Sequence, residues 1–293
     1  MSILVDKNTT VMVQGITGKE GARTTKDMLD YGTKVVCGVT PGKGGQEVEG
    51  VPVYNTVKEA VHQHHPDISV IYVPPSAAKN AAIEAMENGI RLVNVITETV
   101  PIHDTAQMLA YARRHGAMIV GPSSAGILCP GKTRIGSVGG EGFKPGRIGI
   151  ISKSGAMSKE TATLFTHAGF GQSTVVTIGG DVLIGSTFAD ILRLFEQDKD
   201  TDAVVLFGEI GGTYEEDAAE FIKQGGFTKP VAAFISGKFA SSLPNVSLGH
   251  AGAIIEGGKG TRESKIKALK DAGVMIAEVH HELVDLINGA LKK

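Results

Sequence analysis

The sequence predicts an α/β protein built from two consecutive parallel-sheet units, and three observations carry that reading. Short apolar runs alternate with amphipathic stretches of helix length along the 293 residues, the pattern of a doubly wound parallel sheet. Many of the runs end in Gly-rich turns, in keeping with 39 glycines; in such sheets ligands collect at the carboxyl ends of the strands. Between residues 121 and 146 the alternation lapses into turn formers, Gly121-Pro-Ser-Ser-Ala-Gly126 and then Gly139-Gly-Glu-Gly142, and the boundary between the units is expected there.

In the first unit a strand over 11–14 runs into Gly15, Gly18 and Gly21, followed by a helical pattern. Strand, glycine turn and helix start together present backbone N–H groups and a positive dipole end to a phosphate. The spacing is not the G-x-G-x-x-G of dinucleotide binders, so the motif alone is weak. The next strand, 34–38, leads into Val39-Thr-Pro-Gly-Lys43-Gly-Gly45, which offers an ammonium where an NAD site needs an acidic residue. That suits a nucleotide with an extra phosphate on its ribose, such as coenzyme A. Helices near 56–64, 76–88 and 103–115 alternate with strands near 68–73, 92–96 and 117–120. His62, His64 and His65 close the first of these helices and match no metal-site spacing.

The second unit repeats the scheme. A strand over 147–151 meets Ser152-Lys-Ser154-Gly155-Ala156 and a helix to about 167; one over 173–178 ends at Gly179-Gly-Asp181; one over 203–207 ends at Gly208-Glu209-Ile-Gly-Gly212. A strand over 230–235 opens into a long loop that carries Leu248-Gly-His250-Ala-Gly-Ala253. A helix over 262–272, a strand over 274–277 and a helix from about 282 complete a flavodoxin-like domain. Glycines on both sides of His250 allow sharp turns and close approach to its ring, and loops on a rigid scaffold are common sites of chemistry.

Composition narrows the function. With 42% apolar and 20% charged residues and a net charge of −2, neither nucleic acid nor an acidic membrane surface is an expected partner. Cys37 and Cys129 are far apart and read as buried thiols of a reducing compartment. The opening residues become charged at Asp6, too early for a signal peptide, so a cytoplasmic location is expected.

Taken together, the motifs Gln14-Gly-Ile-Thr-Gly18, Gly38-Val-Thr-Pro-Gly-Lys-Gly-Gly45, Ile96-Thr-Glu98, Gly208-Glu-Ile-Gly-Gly212 and Gly249-His-Ala-Gly-Ala253 resemble the α subunit of succinyl-CoA synthetase, the ADP- or GDP-forming succinate–CoA ligase, over essentially the whole chain. The resemblance implies a Rossmann-like CoA-binding domain over 1–122, a connecting segment over 123–146 and a flavodoxin-like phosphohistidine domain over 147–293. It implies phosphorylation of His250, held by Glu209, with the phosphoryl group received at Ser154, Gly155 and Ala156. The CoA contacts it implies are Thr17, Gly18, Lys19, Glu20, Lys43, Ile96, Thr97 and Glu98. It also implies an ATP-grasp β subunit, in an αβ or α2β2 assembly, that holds ATP or GTP with Mg. No G-x-x-x-x-G-K-[ST] loop occurs in this chain, in keeping with a nucleotide site elsewhere.

Some segments depart from the family. The 121–126 linker, the run 241–248 before the histidine, and Lys159, where the family usually has a substrate-binding tyrosine, differ from the succinate pattern. Residues 152–158 and 135–140 look instead like ATP-citrate lyase and citryl-CoA synthetase. Succinate is thus the expected acid, with citrate or malate as the alternative and Lys159 as a candidate substrate residue. An NAD-dependent oxidoreductase is a distant alternative, because it would leave His250 idle.

Overall fold

The computed structural model describes residues 2–239, 250–255 and 260–292. The strands run β1 (Thr10–Gln14), β2 (Lys34–Val39), β3 (Glu47–Val48), β4 (Val51–Tyr54), β5 (Ile68–Ile71), β6 (Leu92–Val95), β7 (Met118–Val120), β8 (Gly126–Cys129), β9 (Thr133–Gly136), β10 (Pro145–Ser152), β11 (Gln172–Thr177), β12 (Ala203–Gly208), β13 (Val231–Ile235) and β14 (Met275–Ala277). The helices between them are α1 (Lys19–Asp30), α2 (Val57–His64), α3 (Pro75–Glu87), α4 (Ile102–His115), α5 (Gly155–His167), α6 (Phe188–Gln197), α7 (Tyr214–Lys223), α8 (Arg262–Asp271) and α9 (Glu282–Leu291).

Among the described residues the strands form two seven-stranded sheets. The first has the order β3-β4-β2-β1-β5-β6-β7. Apart from β3, which hairpins onto β4, its neighbours are parallel. Leaving β3 aside, the order runs third, second, first, fourth, fifth, sixth, the dinucleotide-fold order, with a switch point between β1 and β5. The second sheet has the order β14-β13-β12-β10-β11-β8-β9, and β10 to β14 within it follow the flavodoxin order. The strands are nearly continuous apolar runs because both faces are covered by helices: β12 is buried at every position.

The structure adds two hairpins to the sequence reading. β3–β4 extends the first sheet. Residues 123–146, expected only to connect, contain β8 and β9, which pair antiparallel with each other, β8 also pairing antiparallel with β11. The two strands are four residues each, too short for alternation to show against their glycines. α2 ends with His65 in the left-handed conformation, while His64 Nε2 lies 2.8 Å from the Tyr54 hydroxyl. Both cysteines are free and buried, and burial pushes the Cys37 thiol up to about 12. No helix among the described residues is long and apolar enough to cross a membrane.

One buried serine ties the sheets together. Ser124 Oγ donates to Thr177 O at 2.6 Å and accepts from Asn94 Nδ2 at 3.0 Å and Gly126 N at 2.9 Å. A hydroxyl has one donor and two acceptor sites, so this group is saturated. Its partners come from β6 of one sheet and from β8 and β11 of the other. Ser124→Ala leaves a buried amide donor and a backbone N–H without their acceptor, and is expected to lower the unfolding free energy by about 1–3 kcal/mol, measured by urea denaturation.

Candidate active site

The carboxyl ends of β11, β10 and β12 lie side by side, because those strands are neighbours in the second sheet. Beyond β11 comes Gly180-Asp181, beyond β10 comes Lys153-Ser154-Gly155, and beyond β12 comes Glu209. The histidine loop folds onto this edge. His250 Nδ1 is 2.7 Å from Glu209 Oε2, and the two side chains are 32% and 11% exposed. An ionised carboxylate can only accept, so in the neutral ring Nδ1 carries the proton and Nε2 presents its lone pair.

Two glycines allow this approach. A Cβ on Gly180 would lie 2.4 Å from His250 Cγ, and one on Gly211 would lie 2.1 Å from Gly252 O. Gly211 also sits at φ +90°, a conformation that other residues adopt at a cost. The backbone fastens the loop further, with Gly252 N donating to Gly180 O at 2.9 Å and Gly211 N to Gly260 O at 2.7 Å.

The hydrogen bond to Glu209 raises the His250 pKa above the ordinary histidine range. Burial opposes the shift, Glu98 adds to it, and Lys153 opposes it. Glu98 acts on the ring from the first unit through its charge. Asp181, half-buried, has its carboxyl pushed up by desolvation, with the backbone amides of Thr99 and Val100 opposing.

The helix start at Ser154 is arranged for an anion. Ser154 caps the thirteen-residue α5, its side chain accepting from Met157 N. Its own N–H donates to Ser152 Oγ at 3.1 Å. Gly155 and Ala156 occupy the first two helical positions, whose amides have no intrahelical acceptor. α5 has no acidic residue in its first turn, so its positive end is left for an external anion. Gly155 itself packs against Ala125, whose Cβ would be 2.6 Å from an added methyl.

The first-unit residues gather at the carboxyl edge of the other sheet. Gly18 caps α1 and is exposed with Lys19 and Glu20, while Thr17 is partly buried. Arg23 pairs with Glu20 at 2.8 Å and holds its carboxyl below the usual range. Glu20, Ile96, Thr97 and Glu98 line one cavity of about 290 Å³ together with Arg23, Tyr72, Val73 and Ser137. Thr97 is anchored there by donating to Val73 O at 2.7 Å. Lys43 lies apart from that cavity, exposed in the turn after β2, where Asn55 Oδ1 accepts from the amides of Gly42 and Gly44. Lys159 is exposed on α5, its ammonium close to Gly140; the structure does not bring it to the His250–Glu209 pair. The 241–248 segment and Gly249 lie outside the described residues.

Comparison with known proteins decides the family. Residues 6–99 match the CoA binding domain and residues 151–275 match CoA-ligase. A succinate–CoA ligase (ADP-forming) α subunit from Archaeoglobus fulgidus is 50% identical over 292 residues, covering 100% of this chain and 99% of that protein. One from Methanothermobacter thermautotrophicus is 50% identical over 289 residues, covering 99% and 97%. The chain belongs to the succinate–CoA ligase α-subunit family, an acid–thiol ligase family. Among solved structures, a variant ATP citrate lyase from Methanosaeta concilii with bound citryl-CoA superposes with a TM-score of 0.92 at 27% identity. The match covers 99% of this chain, which spans 50% of that lyase chain.

Sequence reasoning did not assign roles to Gly180, Asp181, Tyr72, Arg23 or Lys153. Gly179-Gly-Asp181 at a strand end was the available signal for the first two. The others declare themselves only through tertiary contact. Within this ligase family site, the raised His250 pKa predicts that the ring is neutral only at pH above the ordinary histidine range. Glu209→Gln removes the charged acceptor and should lower the His250 pKa towards the ordinary histidine range, read by NMR titration of the ring.

Proposed function

We propose that this chain is the α subunit of a nucleoside-diphosphate-forming succinate–CoA ligase that works through phosphohistidine at His250. The observation that carries the reading is the 2.7 Å contact between Glu209 Oε2 and His250 Nδ1, which leaves Nε2 as the nucleophile beside an unneutralised helix start.

In thioester synthesis, Nε2 of neutral His250 takes the γ-phosphoryl of the nucleoside triphosphate and the diphosphate leaves. Glu209 stabilises the charge that develops on the ring. The amides of Gly155 and Ala156 and the Ser154 cap receive the phosphoryl oxygens, fixed donors that need little reorganisation. Phospho-His250 passes the group to a carboxylate of the acid, giving an acyl phosphate and restoring the ring. The CoA thiol then displaces inorganic phosphate, with the acyl–sulfur bond forming as the acyl–oxygen bond breaks.

CoA fits the first unit by donor chemistry. The exposed Lys19 and Glu20 at the α1 start, whose amides have no intrahelical acceptor, and the ammonium of Lys43 suit its phosphates, and the cavity floored by Ile96–Glu98 suits its body. The triphosphate and Mg belong, in this reading, to an ATP-grasp β subunit. Identity near 50% to succinate–CoA ligases, against 27% to the citrate lyase, favours succinate as the acid. Citrate or malate would need Lys159 to reach the site from its exposed place beside Gly140.

His250→Asn, mixed with the partner subunit and labelled ATP, is expected to bind CoA yet take no acid-labile phosphate and form no thioester. In the same assay the wild type should prefer succinate to citrate and malate in kcat/KM; preference for citrate would replace the acid but not the chemistry. Lys43→Ala should weaken CoA about tenfold to a hundredfold, the loss of one charged hydrogen bond, while phosphorylation of His250 stays unchanged. Calorimetric titration with CoA reads the first effect and the label reads the second.

A further inference from the structure

Behind the Glu209–His250 pair lies a layer of buried charge that the phosphoryl chemistry described above does not use. Glu215, in the first turn of α7, is completely buried. Its Oε1 accepts from the Glu209 amide at 3.1 Å and faces Lys153 Nζ at 3.2 Å. Its Oε2 accepts from Lys265, which is also wholly buried and donates to Gly212 O and to Glu216 Oε2, each at 3.0 Å. Lys153 is 4% exposed, directly precedes the Ser154 cap, and stands 5.6 Å from the Tyr214 ring centroid.

The fold does not need an ammonium at position 153. The α5 cap is the Ser154 hydroxyl, and β10 pairs with its neighbours through backbone. Burying these charges costs desolvation free energy that apolar residues of similar volume would not. Glu209 meanwhile has a buried Oε1 with no hydrogen-bond partner among the described residues. Its carboxylate is therefore aimed through its backbone, and the Glu209 amide is held by Glu215.

We propose that the Lys153–Glu215 ion pair is a positioning element, which fixes the backbone turn that aims Glu209 at His250 and couples that turn to the phosphate-receiving start of α5. The proposal rests on His250 being the phosphoryl carrier. Lys153 acts through charge as well as through contact. Among the described residues, Glu209 beyond β12 and Glu98 beyond β6 draw a proton onto the ring while Lys153 beyond β10 opposes them, and Asp181 beyond β11 is in turn stabilised as a carboxylate by the ring's charge. Lys153 thus offsets the carboxylates that draw a proton onto the nucleophile, and it lies one residue from where the transferred group arrives.

The test uses this chain assembled with its partner subunit, following the rate of His250 labelling by ATP across pH. Lys153→Met keeps the stem and removes the charge. It is expected to slow labelling about tenfold or more and to move the acid limb to higher pH, with CoA affinity unchanged within twofold. Lys153→Arg should bring the limb back towards wild type. A purely structural role would lower the amplitude without moving the limb, and that result, or a wild-type rate and limb in Lys153→Met, overturns the proposal. Should Lys153→Met fail to fold, Lys153→Met/Glu215→Gln removes both charges and keeps an amide oxygen for the Glu209 N–H. The same limb shift is expected of it, and an unmoved limb counts against the proposal. A wild-type complex that takes no label on His250 would sink the phosphohistidine reading itself, an outcome distinct from any of these.

Discussion

A carboxylate at neutral pH can accept hydrogen bonds but cannot donate them, and the site depends on that asymmetry. Because Glu209 accepts at Nδ1, the single proton of the neutral His250 ring is held on that nitrogen and the other is left free. Everything nearby serves to bring these two groups together or to limit the consequence. Gly180 and Gly211 clear the space for the ring and its loop. Burial lowers the proton affinity that the carboxylate raises. The sheet order itself contributes, since it sets β10 between β11 and β12 and so delivers the Ser154 helix start, a glycine floor and a carboxylate to one edge.

The two helix starts at that edge are treated in opposite ways. α7 carries Glu215, Glu216 and Asp217 in its first turn, whereas α5 carries no acid there. In α7 the dipole is neutralised from within, and Glu215 and Glu216 are tied to Lys265 and Lys153. In α5 the same dipole has no acidic side chain set against it. Such a buried charge cluster contributes little net stability, but deleting one partner costs about 3–5 kcal/mol because the survivor stays buried. Charge is thus concentrated where geometry must hold rather than where stability demands it.

The two sheets meet where the chemistry needs them to. Ser124 is saturated by groups from both units, and Thr33 Oγ1 donates to Arg134 O at 2.8 Å while accepting Arg134 N at 3.0 Å. Glu98, at the end of the first unit's cavity, is close enough to His250 to affect its protonation.

Much of this was legible in the chain. Alternating apolar runs gave two parallel sheets, because a strand buried on both faces must be apolar throughout and its crossover helix amphipathic. Gly-rich turns after those runs marked the ligand edges, and His250, Glu209 and Ser154 stood out as reactive or capping residues in such turns. The short hairpin strands β8 and β9 escaped, since four residues are too few to show a period. Lys153 and Glu215 escaped for a different reason: a charged residue beside a turn reads as solvated until its partners are known. Their burial is decided by contacts 62 and 50 residues distant in sequence, Lys153 with Glu215 and Glu215 with Lys265. Local pattern therefore determined which residues could do chemistry, and only tertiary packing, which sets distance and desolvation, decided which of them face one another.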